Sequence, residues 1–132
     1  MNRYDAREHA FSVIFSFGFD ALPETTEEII SLYEQAQEVE GDAFFYELID
    51  RTRKNLDAID ALIESNLKNW SLKRLSKVSL AALRLGICEI RFFEDTPNPV
   101  AINEAVELAK RFEGKECGQF VNGVLSAVSG EK

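Results

Sequence analysis

The fold of this chain is decided by its C-terminal residues 100–128, which read VAINEAVELAKRFEGKECGQFVNGVLSAV. In the first half, apolar side chains recur every three or four residues, the period that places them on one face of an α-helix. They are Ile102, Ala105, Leu108, Ala109 and Phe112. Gly114 is typical of a helix end, and the apolar series from Phe120 to Val128 predicts a second helix over residues 116–128. The stretch therefore predicts two consecutive helices joined by a short turn.

Upstream of this pair the helical pattern continues, and no stretch is an unambiguous β-strand. The first expected helix covers residues 3–17, and the second runs from Thr25 to a closing Gly41. The third begins at Asp42 and includes Leu56, and the fourth begins at Asp57. A short helix is expected at Ser71, and a long one over residues 78–93. Thr25 and Glu28 have capping-box spacing, and residues 18–23 and 94–99 contain the expected breakers. We predict an all-α protein, a compact single-domain bundle of about seven helices over residues 1–132.

The charge of the chain at first argues against a nucleic-acid partner. The 132 residues include 23 Asp and Glu against 15 Lys and Arg, a net charge of -8, whereas nucleic-acid binding usually requires a basic surface. The charge is unevenly distributed, however: residues 20–64 sum to -10 and residues 65–93 to +5. The first nineteen residues are neutral and carry Arg3 and Arg7. The net charge therefore does not exclude RNA.

Membrane and secreted classes of protein are excluded by the hydropathy pattern. The longest apolar runs have four residues, far below the roughly 20 that a membrane span needs. The mixed-charge N-terminus does not resemble a signal peptide. Cys88 and Cys117 are too few for a disulfide framework, so we expect buried free thiols and a cytoplasmic protein with no membrane contact.

Enzyme chemistry has little support in the sequence. There is no phosphate-binding loop, no dinucleotide-binding glycine run and no spacing of metal ligands, so we expect neither a cofactor nor a metal. His9 is the single histidine, and Cys117 lies near the start of the last helix, where the helix dipole lowers a thiol pKa. A small enzyme that uses Cys117 and His9 is kept as the weakest hypothesis.

Two C-terminal motifs resemble a known family. Residues 100–112 followed by Phe120-Val121-Asn122-Gly123-Val124-Leu125 resemble the signature of the NusB transcription antitermination family. Residues 81–90 resemble the preceding helix of that family, and residues 3–8 resemble its arginine-rich start. The resemblance is dense over residues 78–128 and weak over residues 20–65.

This resemblance implies an all-helical protein without catalysis or cofactor. It implies binding of boxA, a short single-stranded RNA element in ribosomal RNA leader transcripts, together with the ribosomal protein NusE. The complex joins elongating RNA polymerase and suppresses termination. The alternative is a free-standing protein-interaction module of the same fold without specific RNA binding, since a related domain occurs fused to ribosomal RNA methyltransferases. A monomer and a homodimer that hides the arginines both stay open.

The resemblance also assigns candidate RNA-binding residues, which are Arg3, Tyr4, Arg7, Phe15, Glu116, Gln119 and Phe120. Arg3 and Arg7 are four residues apart, so both guanidinium groups are expected to project from one helix face. Unpaired RNA bases stack on aromatic side chains, although Phe15 and Phe120 also fit the apolar stripes of a core. Tyr4 stands where the family often has a second arginine, and Gln119 where it often has a basic residue.

A second set of residues is expected to contact NusE: Lys73, Lys77, Ser79 and Arg84. Lys73 and Ser79 occupy positions where some family members carry acids that meet the ribosomal protein. The charge of this partner surface is therefore expected to differ from theirs. The basic stretch from Lys68 to Arg91 offers an alternative, namely an extended path for the RNA.

Overall fold

The computed structural model describes residues 1–18, 23, 25–68 and 71–130, and these ranges contain helices and no strand. The elements are α1 (Arg3–Ser16), α2 (Thr26–Gln37), α3 (Ala43–Lys54), α4 (Leu56–Ser65), a 3-10 turn (Leu72–Arg74), α5 (Lys77–Phe92), α6 (Asn98–Glu113) and α7 (Lys115–Gly130). The predicted all-α class is confirmed. Of the predicted breaker at residues 18–23, residues 19–22 lie outside the described part.

Side-chain caps explain where several helices begin. Asn2, Thr25, Asp42 and Ser76 each accept a hydrogen bond from the backbone N–H three residues later, which satisfies a first-turn donor. The threonine half of the predicted Thr25–Glu28 capping box forms, since the Thr25 hydroxyl accepts from the Glu28 amide at 3.1 Å. The Glu28 carboxylate accepts from the Thr25 hydroxyl at 3.1 Å rather than from its backbone. Ser71 precedes the 3-10 turn but makes no side-chain cap.

Two predicted boundaries are wrong. The second helix ends at Gln37, before Gly41, because Glu38 adopts the left-handed conformation with φ 54° and breaks the helix itself. Leu56 opens α4 and is not part of α3, because Asn55 ends one helix and precedes the next. Asp57 therefore lies in the first turn of α4, where a negative charge is favourable to the helix dipole.

The long helix α5 forms the centre of the core. It packs against α1, α3, α4, α6 and α7, and every residue from Ala81 to Glu89 is buried. Gly86 allows α6 and α7 to approach this closely, because a Cβ there would lie 2.6 Å from Leu125 Cδ1 and 3.2 Å from Ala105 Cβ. The helices α6 and α7 meet at Gly114, whose φ of 101° favours glycine.

The state of the two cysteines and the hydropathy of the helices can be compared with the predictions made from the sequence. Cys88 and Cys117 are free and buried, as predicted. Within the described ranges, each helix is too short or too polar to pass through a bilayer.

Candidate nucleic-acid interface

The first two candidate RNA-binding residues lie on the exposed start of α1. The Arg3 guanidinium carbon lies 3.9 Å from the centroid of the Phe44 ring, so this cation stacks on an aromatic face of α3. Tyr4 is 53% exposed, and its hydroxyl accepts a hydrogen bond from Arg111 Nη1 at 3.1 Å. Arg3 and Tyr4 are thus accessible to a ligand and held by other helices.

Arg7 occupies a different environment from the one predicted. It is only 6% exposed, and its Nε and Nη2 donate to the Glu89 carboxylate at 2.9 to 3.1 Å. The expectation that Arg7 projects with Arg3 from one open face is wrong, because Arg7 turns inward to pair with the buried acid of α5. Arg7 lines part of the wall of a cavity between α1 and α6.

Arg111, at the end of α6, links this helix to α1. Besides its bond to Tyr4, its Nη2 donates to the Glu8 carboxylate, and its guanidinium carbon lies 5.3 Å from the Phe112 ring centroid. The hydrogen bond to Glu8 raises the pKa of Arg111. Arg111 was not among the predicted RNA-binding residues, although it lies in Lys110-Arg111-Phe112, the end of the motif that resembles the family. Its role depends on a contact between residues 107 positions apart.

An aromatic patch lies next to Arg111. Phe112 is 49% exposed, and its ring stacks on Phe11 with centroids 5.3 Å apart. Phe15 is half-buried and borders a small cavity of about 230 Å³ together with these two rings and Val78. Phe15 therefore combines the two environments considered for it, since one part packs on the core and another part reaches this cavity.

The remaining candidates lie at the start of α7. Glu116 and Gln119 are exposed, and Phe120 is half-buried. Glu116 and Phe120 line an open cavity of about 530 Å³ with Arg74, Leu75 and Ser76, among others. We call the surface that runs from Arg3 and Tyr4, across Arg111 and Phe112, to Glu116, Gln119 and Phe120 the α1–α6–α7 surface.

The residues expected to contact NusE separate into two exposed and two buried ones. Lys73 and Lys77 are exposed, and the Lys77 ammonium donates to the backbone carbonyl of Gly18. Ser79 and Arg84 are buried, so their expected role as surface contacts is wrong. The Ser79 hydroxyl lies 3.1 Å from Cys117 Sγ.

The burial of Arg84 has a clear physical cause. It donates to both carboxylate oxygens of Asp60 on α4, at 2.8 and 2.9 Å. This bidentate pair fixes α4 against α5 and takes one of the predicted basic charges away from the surface.

The expected activation of Cys117 is also wrong. Burial raises the pKa of its thiol, which opposes formation of the reactive thiolate. His9 Nδ1 lies 2.7 Å from the Tyr33 hydroxyl, so the histidine pairs with α2 rather than with Cys117. No cluster of three or more metal-ligating side chains occurs among the described residues.

The helices and these side chains define a small all-α protein with an open surface of aromatic, basic and carboxylate groups. A model of the NusB family matches residues 4–130. Transcription antitermination protein NusB of Natranaerobius thermophilus is 39% identical over 134 residues, covering 99% of this chain and 96% of that protein. The protein of that name from Listeria monocytogenes serotype 4a is 36% identical over 131 residues, covering 99% and 98%. The chain belongs to the NusB family.

Solved structures agree with this assignment. A chain in the crystal structure of antitermination factors NusB and NusE in complex with dsRNA superposes with a TM-score of 0.85 at 29% identity, covering 100% of both chains. NusB of T. maritima superposes with a TM-score of 0.83 at 35% identity, covering 99% of this chain and 92% of that one. The relatives carry the antitermination name, which favours that function over a free-standing interaction module.

Proposed function

We propose that this chain is a transcription antitermination factor that binds boxA-type single-stranded RNA of ribosomal RNA leader transcripts together with NusE. The observation that carries the proposal is the full-length match to the NusB family. The bound complex joins elongating RNA polymerase and suppresses termination. This proposal implies a cytoplasmic protein, because the transcript and the polymerase that it binds are there.

The chemistry of the α1–α6–α7 surface supports single-stranded RNA as the ligand. Tyr4 and Phe112 expose about half of their surface, and exposed rings are stacking platforms for unpaired bases. A duplex keeps its bases stacked on each other, so it would leave these rings unused. The solved NusB–NusE complex contains dsRNA, and this proposal differs from it on that point.

The pairing of several arginines with acids reduces the charge available to phosphates, which supports a contribution from a protein partner. Arg7 is paired with the buried Glu89, Arg84 with the partly buried Asp60, and Arg111 with Glu8. Few phosphates are therefore neutralised, and affinity depends mainly on stacking and on contacts from the partner. Lys73 and Lys77 are the members of the predicted NusE set that are exposed for such a partner.

Fluorescence anisotropy of a labelled boxA-type RNA tests this function. The RNA is titrated with the chain alone and with the chain plus purified NusE, and a scrambled RNA of equal length is the control. We expect weak binding alone, at least tenfold tighter binding with NusE, about 1.4 kcal/mol, and little binding of the scrambled RNA. Equal affinity for both RNAs, or no binding in either condition, would contradict the proposal.

A further inference from the structure

A cavity of about 440 Å³ lies between α1 and α6, beside the predicted RNA-binding start of α1. Its wall includes Tyr4, Arg7, Asn103, Glu104 and Glu107. Ligand pockets usually enclose about 300–1,000 Å³ and contain a few fixed polar groups. This cavity is therefore large enough for one nucleobase, and its polar groups suit recognition of a base edge.

Arg7 provides a donor in this cavity that the protein itself does not use. Glu89 binds Nε and Nη2, while Nη1 has no hydrogen-bond partner among the described residues. The side chain is only 7% exposed and is held by Glu89, so its position is fixed before any ligand arrives. Glu89, itself 1% exposed, thus acts as a positioning residue for Arg7.

Tyr4 provides an aromatic surface at the same cavity. Its hydroxyl is held by Arg111 Nη1 at 3.1 Å, and Arg111 is held in turn by Glu8. These bonds restrict the ring while leaving 53% of the residue exposed. A restrained, exposed ring loses little conformational entropy when a base stacks on it.

The carboxylates of the wall favour a base over a phosphate. Glu104 and Glu107 have no ion-pair or hydrogen-bond partner among the residues that the structure describes. Of the three cations of the wall, Arg7 is paired with Glu89 and Arg111 with Glu8, so the two carboxylates without a partner face one remaining cation, Lys110. A phosphate would be repelled by this excess, whereas base N–H groups would find free acceptors.

We infer that this cavity binds one guanine base of single-stranded RNA. Arg7 Nη1 donates to guanine O6 or N7, the arginine contact that is commonest for this base. Glu104 accepts hydrogen bonds from N1–H and the N2 amino group, and Tyr4 stacks on the ring. Adenine keeps N7, but it has an amino donor where guanine has O6 and lacks the N1–H and N2 donors, so it loses the contacts with Glu104 and any arginine contact at O6. This inference rests on the proposed RNA-binding function.

NMR titration of the full chain with the trinucleotides UGU and UAU tests the inference, because the two probes share their phosphates and differ in one base. We expect UGU to shift resonances of Tyr4, Arg7 and Glu104 and to bind about tenfold more tightly than UAU. Glu104→Gln should reduce that preference to less than about twofold, since an amide offers only one acceptor oxygen to N1–H and N2–H. Glu64→Gln removes the same charge from an exposed position of α4 and should keep the preference for UGU.

Equal binding of the two trinucleotides, no binding of either, or an unchanged preference in Glu104→Gln would overturn the guanine site. The anisotropy titration with boxA-type RNA separates this failure from that of the general function. If the chain binds that RNA while the trinucleotides are not distinguished, only the guanine site is wrong. If it binds neither, both proposals are wrong.

Discussion

Glu89 on α5 binds Arg7 on α1 through two guanidinium nitrogens, at distances of 2.9 to 3.1 Å, in an almost fully buried site. The Thr96 hydroxyl, in the connection to α6, lies 3.3 Å from the same carboxylate. Residues of α1, of α5 and of the connection between α5 and α6 thus meet at one acid. The position of the α1 start, where RNA is proposed to bind, is therefore fixed by the protein core.

We predict that Glu89→Ala strongly destabilises the protein. The substitution leaves the Arg7 charge buried and unpaired, which costs about 3–5 kcal/mol of unfolding free energy. Urea denaturation measures the change, and Glu64→Ala, at an exposed position of α4, is a control expected to stay within about 0.5 kcal/mol. The double variant Arg7→Met with Glu89→Leu removes both charges and should recover most of the stability. Equal, small losses for Glu89→Ala and Glu64→Ala would contradict this account of the pair.

Substitution by alanine should lower the stability of the protein at Gly86 and raise it at Gly123. In Gly86→Ala the new Cβ meets the buried Leu125 side chain at 2.6 Å, and such overpacking costs about 1–3 kcal/mol. At Gly123, an exposed position of α7, a Cβ meets nothing within 4 Å, so alanine should stabilise the helix by about 0.5–1 kcal/mol. Thermal unfolding of both variants tests the contrast. Stabilisation by Gly86→Ala would show that α5 is not packed as described.

Truncation of Phe120 should weaken RNA binding more than it weakens the fold. The ring is half-buried and lines the open cavity beside Glu116, and loss of a stacking ring costs about 1–3 kcal/mol per base. We expect Phe120→Ala to reduce the affinity for boxA-type RNA, measured by anisotropy with NusE present. Leu32→Ala removes an apolar side chain that is 57% exposed on α2 and should leave the affinity unchanged. A large drop in melting temperature without loss of RNA affinity would assign Phe120 to the core.

The buried Cys88 thiol predicts a specific alkaline instability. Burial raises the pKa of Cys88 to about 12, so the folded state favours the protonated thiol. Its stabilising contribution is fully present below the unfolded pKa near 9.0 and is lost as the pH rises to about 12. Urea denaturation between these two values should therefore show a falling unfolding free energy, and Cys88→Ala should flatten that fall. An unchanged slope in this variant would contradict the assignment.

Much of the fold was predictable because it depends on local patterns. Helical periodicity over residues 100–128 placed α6 and α7, and capping residues such as Thr25 and Asp42 marked helix starts. The end of α2 at Gln37 was not predicted, because the residue in the left-handed conformation is Glu38. Glycine or asparagine is the usual residue at such a helix end, and neither is present there. Sequence periodicity therefore locates helices better than it locates their ends.

The candidate site was less predictable, because it depends on pairings between distant residues. Arg7 and Arg84 were expected at the surface, yet Glu89 and Asp60 draw them inward. Arg111 was overlooked because its contacts with Tyr4 and Glu8 lie more than 100 positions away in the sequence. A single sequence contains no information about such partners, so a count of basic residues overestimated the charge available to RNA.

Chemical-shift mapping of a boxA-type RNA on the complex of this chain with NusE tests the central claim most directly. Spectra of the complex with and without RNA isolate the shifts that RNA causes. We predict that these shifts concentrate at Tyr4, Arg111, Gln119 and Phe120, and that the resonances of helices α2 to α4 stay unchanged. Shifts concentrated on α2 to α4, or no shifts at a saturating RNA concentration, would contradict the assignment of the α1–α6–α7 surface.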